Sequence, residues 1–426
     1  MLTYQNMKTS GTPWLGDIPS DWALMRVGQI FTQRNEKVSD KDYTPLSVTK
    51  KGIVPQLENA AKTNDGDNRK KVLKGDFVIN SRSDRKGSSG LSNLDGSVSL
   101  INTVLSSGKL NSKYTHHLLR SYPFQEEFYR WGQGIVADLW STNYQRMKSI
   151  QLPVPNIQAQ ERIAEFLDEE TAKIDRLISK QEHLLRLLEE KRLATITHSV
   201  TCGLKTNPEL KETGIPWLGH INEEFQLVPL KSCVSYQEGP GIMAADFHEA
   251  GVPLIRISGL KANGVICNGK NFLDSEKVEK KWSHFRLKSH DLLISASAST
   301  GVISEVMPDS DAVGAIAYTG IIRFQVIDKR QLSREYLKYF VLSQPYLEQI
   351  QLSITGTAMQ HYGPSHLGRF KIIIPPYEQQ LEIVQTLDSE SQTAERLRVK
   401  IQSQITLLRE RRTSLISHAV TGKIKI

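Results

Sequence analysis

VPNIQAQERIAEFLDEETAKIDRLISKQEHLLRLLEEKRLATITHSV occupies residues 154–200, and IPPYEQQLEIVQTLDSESQTAERLRVKIQSQITLLRERRTSLISHAV occupies residues 374–420. The two stretches align without a gap at an offset of 220. From Gln160 to Val200 no Gly or Pro interrupts 41 residues, and apolar residues recur at helical spacing. One helix of about 60 Å is expected there, against a mean of about 11–12 residues for globular helices. Ile163, Leu167, Ile174, Leu177, Leu184 and Leu188 follow steps of four, seven, three, seven and four, which fits alternating a and d positions of a heptad. The second copy places Ile383, Leu387, Ala394, Leu397, Ile401 and Leu408 on the same kind of stripe. Each helix then has a narrow apolar seam between charged flanks, and the other helix is its natural partner. Pro155, and Pro375 with Pro376, stand just ahead of the first turns, where the missing N–H costs nothing. The tails HSVTCGLK and HAVTGKIK carry His198 and His418 where a histidine usually serves the helix dipole or packing. Cys202 stands where the second tail has Gly422, which leaves the end of the first helix open.

The repetition extends upstream. GTPWLG at 11–16 returns as GIPWLG at 214–219, PLSVT at 45–49 as PLIRIS at 253–258, and LKGDFVIN at 73–80 as KSHDLLIS at 288–295. The offset grows from 203 to 220, so the second copy carries 17 additional residues in its middle. A period near 200 residues is far longer than the roughly 20–50 of a solenoid unit, so a whole module is written twice. The segments ahead of each helix hold short β-type runs (FVIN, SVSLINTVL, LLISAS, AIAYTGIIRFQVI) broken by Gly, Asn, Asp and Ser, then short helical pieces. The expected class is α+β, in the order globular 1–155, helical 156–205, globular 206–373 and helical 374–426.

At 426 residues several domains are expected. The apolar runs fall far short of the roughly 20 residues that span a bilayer, and MLTYQNMKTS has no signal-peptide core, so the expectation is a soluble, cytoplasmic protein away from membranes. Cys202, Cys233 and Cys267 form no C-x-x-C and suggest buried thiols. The net charge of +8 is uneven: residues 1–155 hold 21 basic and 14 acidic side chains, whereas 201–375 hold 18 and 17. Ten of the cations, Lys50, Lys51, Arg82, Arg85 and Lys86 among them, fall between Lys50 and Lys86 against five acids. Such a surface attracts a polyanion by counterion release, or is a solvated basic loop.

No catalytic constellation stands out. IPPY at 374–377 lacks the Asn or Asp that an adenine-clamping loop needs, and it reads as a helix entrance. G-x-G at 132–134 and 239–241 is never G-x-G-x-x-G, no G-x-x-x-x-G-K-[ST] or H-E-x-x-H occurs, and His361 and His366 are five apart in a loop. Pro308-Asp309 has no following Glu-x-Lys. The expectation is a chain with no cofactor or metal of its own.

In this order and repetition, P-W-L-G, G-D-F-V-I-N-S-R-S, P-P-Y-E-Q-Q and S-H-A-V-T-G resemble the specificity subunit of type I restriction-modification systems over essentially the whole chain. The resemblance implies two target-recognition domains, each reading one half of a bipartite double-stranded DNA site, separated by two long helices packed antiparallel as a ruler. It implies two methyltransferase subunits that modify adenine N6 and restriction subunits that translocate and cut, with S-adenosylmethionine, ATP and Mg in those partners. Independently, two halves alike in plan but different inside suit one docking geometry with two readouts of a non-palindromic site. Base edges call for Arg, Lys, Asn or Gln, while other cations hold phosphates. Arg82, Arg85 and Lys86 in INSRSDRKGSSG are candidates in the first domain; Arg256 and Lys261 in IRISGLK, with Gln360 and His361 in TGTAMQHYG, are candidates in the second. A stand-alone regulator would also bind DNA but needs no ruler. A scaffold that merely joins other subunits is separated from both by DNA binding of the assembled complex.

Overall fold

The structure is a computed structural model describing residues 3–56, 66–106, 108–134, 140–261, 264–269, 271–296, 303–353 and 362–426. The helices that bear on function are α1 (Ser112–Arg120), α2 (Tyr122–Arg130), the long α3 (Ile157–Cys202), α4 (Arg334–Leu342), α5 (Gln344–Ser353) and the long α6 (Tyr377–Val420). Contacts divide the chain into residues 1–182 with 402–426, and residues 183–401. Each unit thus combines one globular segment with a piece of both long helices.

In the first unit an antiparallel sheet runs in the order Ser89–Leu91, Phe77–Asn80, Asn102–Ser106, Thr32–Gln33. The second unit repeats that order with Ile303–Glu305, Leu292–Ser295, Ile321–Val326 and Val234–Glu238. Gln151–Val154 pairs with Ala23–Arg26, and Lys371–Ile374 pairs with Gln226–Pro229 in the same way. The middle of the second unit adds a sheet in which Val252–Ile255 runs parallel to Ile316–Ala317, within the longer second copy.

The entrance motif recurs because each copy docks a helix end. In the first unit Gly422 has φ +70°, and a Cβ there would meet Pro19 Cδ at 2.2 Å. In the second unit Gly203 has φ +80°, and its Cβ would meet Phe225 Cζ at 3.1 Å. The left-handed glycine closes the helix where the chain after P-W-L-G packs on it. Cys202 is therefore an extra helical residue, and Gly203, not position 202, does in the first tail what Gly422 does in the second.

Both helix starts carry a buried glutamine that ties the globular segment to the helix. Gln160 Nε2 donates to the Pro155 carbonyl at 2.8 Å, and its Oε1 accepts from Asn111 N at 2.8 Å. Gln380 does the same with Pro375 at 2.9 Å and Ser333 N at 2.8 Å. Tyr114 and Tyr336 are fully buried and donate to the carbonyls of Pro153 and Ile373, each at 3.0 Å.

Within the first unit the helices run antiparallel: Arg412 holds Asp175 at 2.8 and 3.1 Å and Arg409 holds Glu182 at 2.9 Å, so numbers rise on one helix as they fall on the other. In the second unit Glu395 feels Arg192, and Arg398 feels Glu189, in the same sense. Ile163, Leu167, Ile174, Ile383, Leu387 and Ile401 are buried, while Leu188, Ala394 and Leu408 are half-buried. Leu177, Leu184 and Leu397 are corrected: they are 47%, 41% and 41% exposed. The stripe instead turns through Ile178 and Leu185, and later through Ile405 and Leu415. At 100° per residue, Leu177 and Leu184 sit roughly 70° and 90° from its middle.

A candidate nucleic-acid interface

Backbone geometry fixes where Lys50, Lys51, Arg82 and Arg85 stand, while Arg69 of the same run turns inward, 3% exposed and bonded to Ser97. Lys50 and Lys51 form the two-residue turn between strands Leu46–Thr49 and Gly52–Pro55. Gly52 has φ +119°, and a Cβ on Gly90 would meet Gly52 Cα at 3.1 Å, so this hairpin lies tightly on the strand Ser89–Leu91. The loop Ser81–Ser88 crosses to a second segment, with Thr142 N donating to Ser81 O at 2.9 Å and Ser83 N to Trp140 O at 2.8 Å. That sets Ser141 opposite Arg82, next in the chain to Trp140, which is 40% exposed. Arg82 and Arg85 lie 3.7 and 3.5 Å from Asp84, and Arg85 is 68% exposed, so both are available to a partner.

Lys50 and Lys86 meet elsewhere. With Arg120 and Tyr122 from the α1–α2 corner and Arg412 from α6 they line a cavity of about 340 Å³. Lys86 pairs with Glu126, and Arg412 with Asp175. Arg120 donates to the Lys50 carbonyl at 2.6 Å and to His116 Nε2 at 3.1 Å. Arg120, Arg412 and Trp140 were not picked out from the sequence. Arg120 and Arg412 stand 292 positions apart, and no local pattern announces their meeting.

In the second unit Arg256 lies over the rings of Tyr318 and Phe247, at 5.2 and 5.7 Å, and donates to Asn271 Oδ1 at 3.3 Å. Such stacking pre-sets a guanidinium for planar recognition. Lys261 is exposed on the short hairpin Leu260–Lys261/Gly264–Val265. Gln360 and His361 lie outside the described residues. Their neighbour Tyr362 donates its N–H to Ala296 O at 3.0 Å, the counterpart of Thr142 on Ser81. Among the described residues no group of three His, Cys, Asp or Glu side chains is placed to hold a metal, and no helix is long and apolar enough to cross a membrane.

Beside the cavity, His117 Nε2 donates to Asp168 Oδ1 at 2.7 Å, where the second unit has Tyr339 donating to Asp388 at 2.5 Å. Burial pushes the Asp168 carboxyl up, but the hydrogen bonds from Lys113 and His117 outweigh it and hold it below the usual range. Burial first, then Arg120 and His117, lower His116 from 6.5 to about 4. Burial also lowers His117. A histidine depressed on folding contributes stability that is present above pH 6.5 and is lost as pH falls toward 4. Between pH 7 and pH 5, His116 should cost the fold about 2 kcal/mol. Unfolding curves at the two pH values check this: His116→Gln should lose that share of the pH dependence, and an unchanged slope contradicts it.

A family model for the type I restriction modification DNA specificity domain matches residues 19–186 and 222–407. The type I restriction enzyme MjaVIII specificity subunit of Methanocaldococcus jannaschii is 24% identical over 282 residues, 66% of this chain and 63% of that protein. The StySPI specificity subunit of Salmonella potsdam is 22% identical over 281 residues, 65% of this chain and 58% of that protein. The matched region is thus less than two thirds of either relative's length. A solved chain from work on complex assembly and conformational transition of the type I R-M system has a TM-score of 0.72 at 14% identity, covering 96% of this chain and 99% of that one. The HsdS subunit from Thermoanaerobacter tengcongensis gives 0.51 at 16% identity, covering 96% and 98%. At these identities the structural likeness speaks for the fold.

Proposed function

Because this chain belongs to the family of type I restriction modification DNA specificity domains, we propose that it reads a bipartite, non-palindromic DNA site, one half-site per unit, separated by a nonspecific spacer. It has no catalytic role of its own. It delivers an adenine-N6 methyltransferase and restriction subunits to that site, and S-adenosylmethionine, ATP and Mg are held by those partners. The observation that carries the reading is the doubled frame: sheet order, glutamine ties, buried tyrosines and helix-end glycines recur in both units. The sequences that follow the matched strands Phe77–Asn80 and Leu292–Ser295 differ, SRSDRKGSSG at 81–90 against the cation-free ASASTGVISE at 296–305. A shared frame suits a common docking geometry, and divergent loops suit two different base readouts.

The two partner copies have matched surfaces available. Leu177 and Leu187 on α3, and Leu397 and Leu407 on α6, are all exposed and stand 220 positions apart in pairs. Apolar side chains outside the seam, repeated on both helices, suit two copies of one partner. The test is to assay methyl transfer to duplex DNA by the purified chain and by the complex reconstituted with a methyltransferase subunit. Transfer only by the complex, with one bipartite motif in the methylated DNA, is the expected result. Robust transfer by the single chain, or a complex indifferent to sequence, defeats the reading.

A further inference from the structure

The cavity between α6 and the α1–α2 corner holds more positive charge than it neutralises. Lys86 and Arg412 have carboxylate partners in Glu126 and Asp175. Arg120 has its bonds to a backbone carbonyl and to the ring of His116, neither of which is negative. Lys50 is exposed beside it. Burial, and then the neighbouring Arg412, disfavour the charged form of Arg120. Two guanidiniums facing one cavity, with only one of them paired to a carboxylate, form an arrangement that an anion entering the cavity stabilises. Its volume of about 340 Å³ admits a phosphate group, and the exposed ring of Tyr122 stands at its edge.

The repeat supplies an internal comparison. Tyr114 and Tyr336 make matching bonds at an offset of 222, and Ser121 and Ser343 precede α2 and α5 at the same offset. Arg120 therefore corresponds to Leu342, and Tyr122 to Gln344, while Arg412 has a counterpart in Arg192 at the helix offset of 220. The helix cation is common to both copies, and the corner cation belongs to the first alone. If the cavity served a partner that docks on both copies alike, both would keep it.

We propose that Lys50, Lys86, Arg120 and Arg412 form a seat for one phosphate of the DNA backbone, next to the half-site read by the first unit and absent from the second. This rests on the reading of the chain as a DNA-recognition subunit. The seat holds register rather than sequence, because a phosphate carries no base identity.

The experiment uses the complex reconstituted with its methyltransferase partner and measures affinity for cognate duplex against salt concentration. Arg120→Leu copies the residue of the second unit, and Lys50→Gln changes an exposed side chain that the fold does not need. Each variant should flatten the slope of log K on log salt by about 0.9, the value for one phosphate contact, and weaken cognate and noncognate DNA alike. The methylated motif should not change. Binding with unaltered slopes in both variants overturns the seat, as does a changed motif. Loss of the methyltransferase subunit from Arg120→Leu with normal DNA slopes assigns the cavity to a partner's carboxylate instead. Inorganic phosphate is the other arm: if it stabilises the wild-type complex but not Arg120→Leu while DNA slopes stay equal, the cavity holds a free anion. A wild-type complex that does not bind duplex at all is a failure of the DNA reading itself.

Discussion

Four residues inserted into each long helix, between Glu182 and His183 and between Ile401 and Gln402, should lengthen the nonspecific spacer by roughly one to two base pairs. Those points are where the chain divides between its two units, so every contact inside each unit is left alone. Four residues add about 6 Å to a helix, and base pairs rise about 3.4 Å each. Inserting into both helices matters because both run from one unit into the other, and a single insertion would make their lengths unequal. Four residues also nearly complete a turn and keep the apolar stripe facing its partner, whereas two rotate it by about half a turn and should abolish folding or partner binding. Each added base pair turns the second half-site by about 34–36°, so some affinity should be lost as the DNA twists to follow. The measurement is the methylated motif of the variant. Unchanged half-sites with a longer spacer support a helical ruler, and an unchanged spacer means that something else sets the distance.

The doubling, the α+β class and the two long helices were legible because they depend on signals that survive in one dimension. A 41-residue stretch without Gly or Pro has few alternatives to a helix, and a prolyl entrance marks its start to within a turn. The seam was legible only in part, for a physical reason. LLRLL at 184–188 offers leucines on two neighbouring faces, and the choice between Leu184 and Leu185 is made by what packs against them. The one-residue slip from Leu177 to Ile178 has the same origin, since steps of three and four both look helical until burial decides between them, whereas at Leu397 the next residue, Arg398, is exposed as well. Gln160 and Gln380 read as ordinary polar residues of a helix entrance; their value as double ties to Asn111 and Ser333 exists only once the corner folds back. Site residues were the least legible. Arg82 and Lys86 stand in a visibly basic run, but Arg120 and Arg412 acquire meaning only from a contact across 292 positions.

Exchange of residues 1–155 for the corresponding block of a relative should replace one half-site completely and leave the other half-site and the spacer as they were. Each mismatched base pair in a recognised site costs about 1–3 kcal/mol, so a changed half-site of a few pairs moves affinity by several orders of magnitude. The second unit should not respond, because its core draws on Ile196, Val200, Ile383 and Leu387 of the helices and on its own globular segment, none of which the exchange touches. The exchanged block must still fit the helices that stay behind. Trp22, Tyr114, Leu118 and Phe128 share the first unit's core with Ile163, Leu167, Leu415 and Val420. A donor that truncates one large buried side chain among them would lose about 3–5 kcal/mol, a large share of the roughly 5–15 kcal/mol that holds a domain folded. Keeping those four residues in every chimera separates the two failures, since a chimera that folds but keeps the old half-site, judged by sequencing its methylated sites, counts against the loops as readers. A chimera in which both half-sites change defeats the division of labour itself, because the recognition of one unit would then depend on residues that only the other contains.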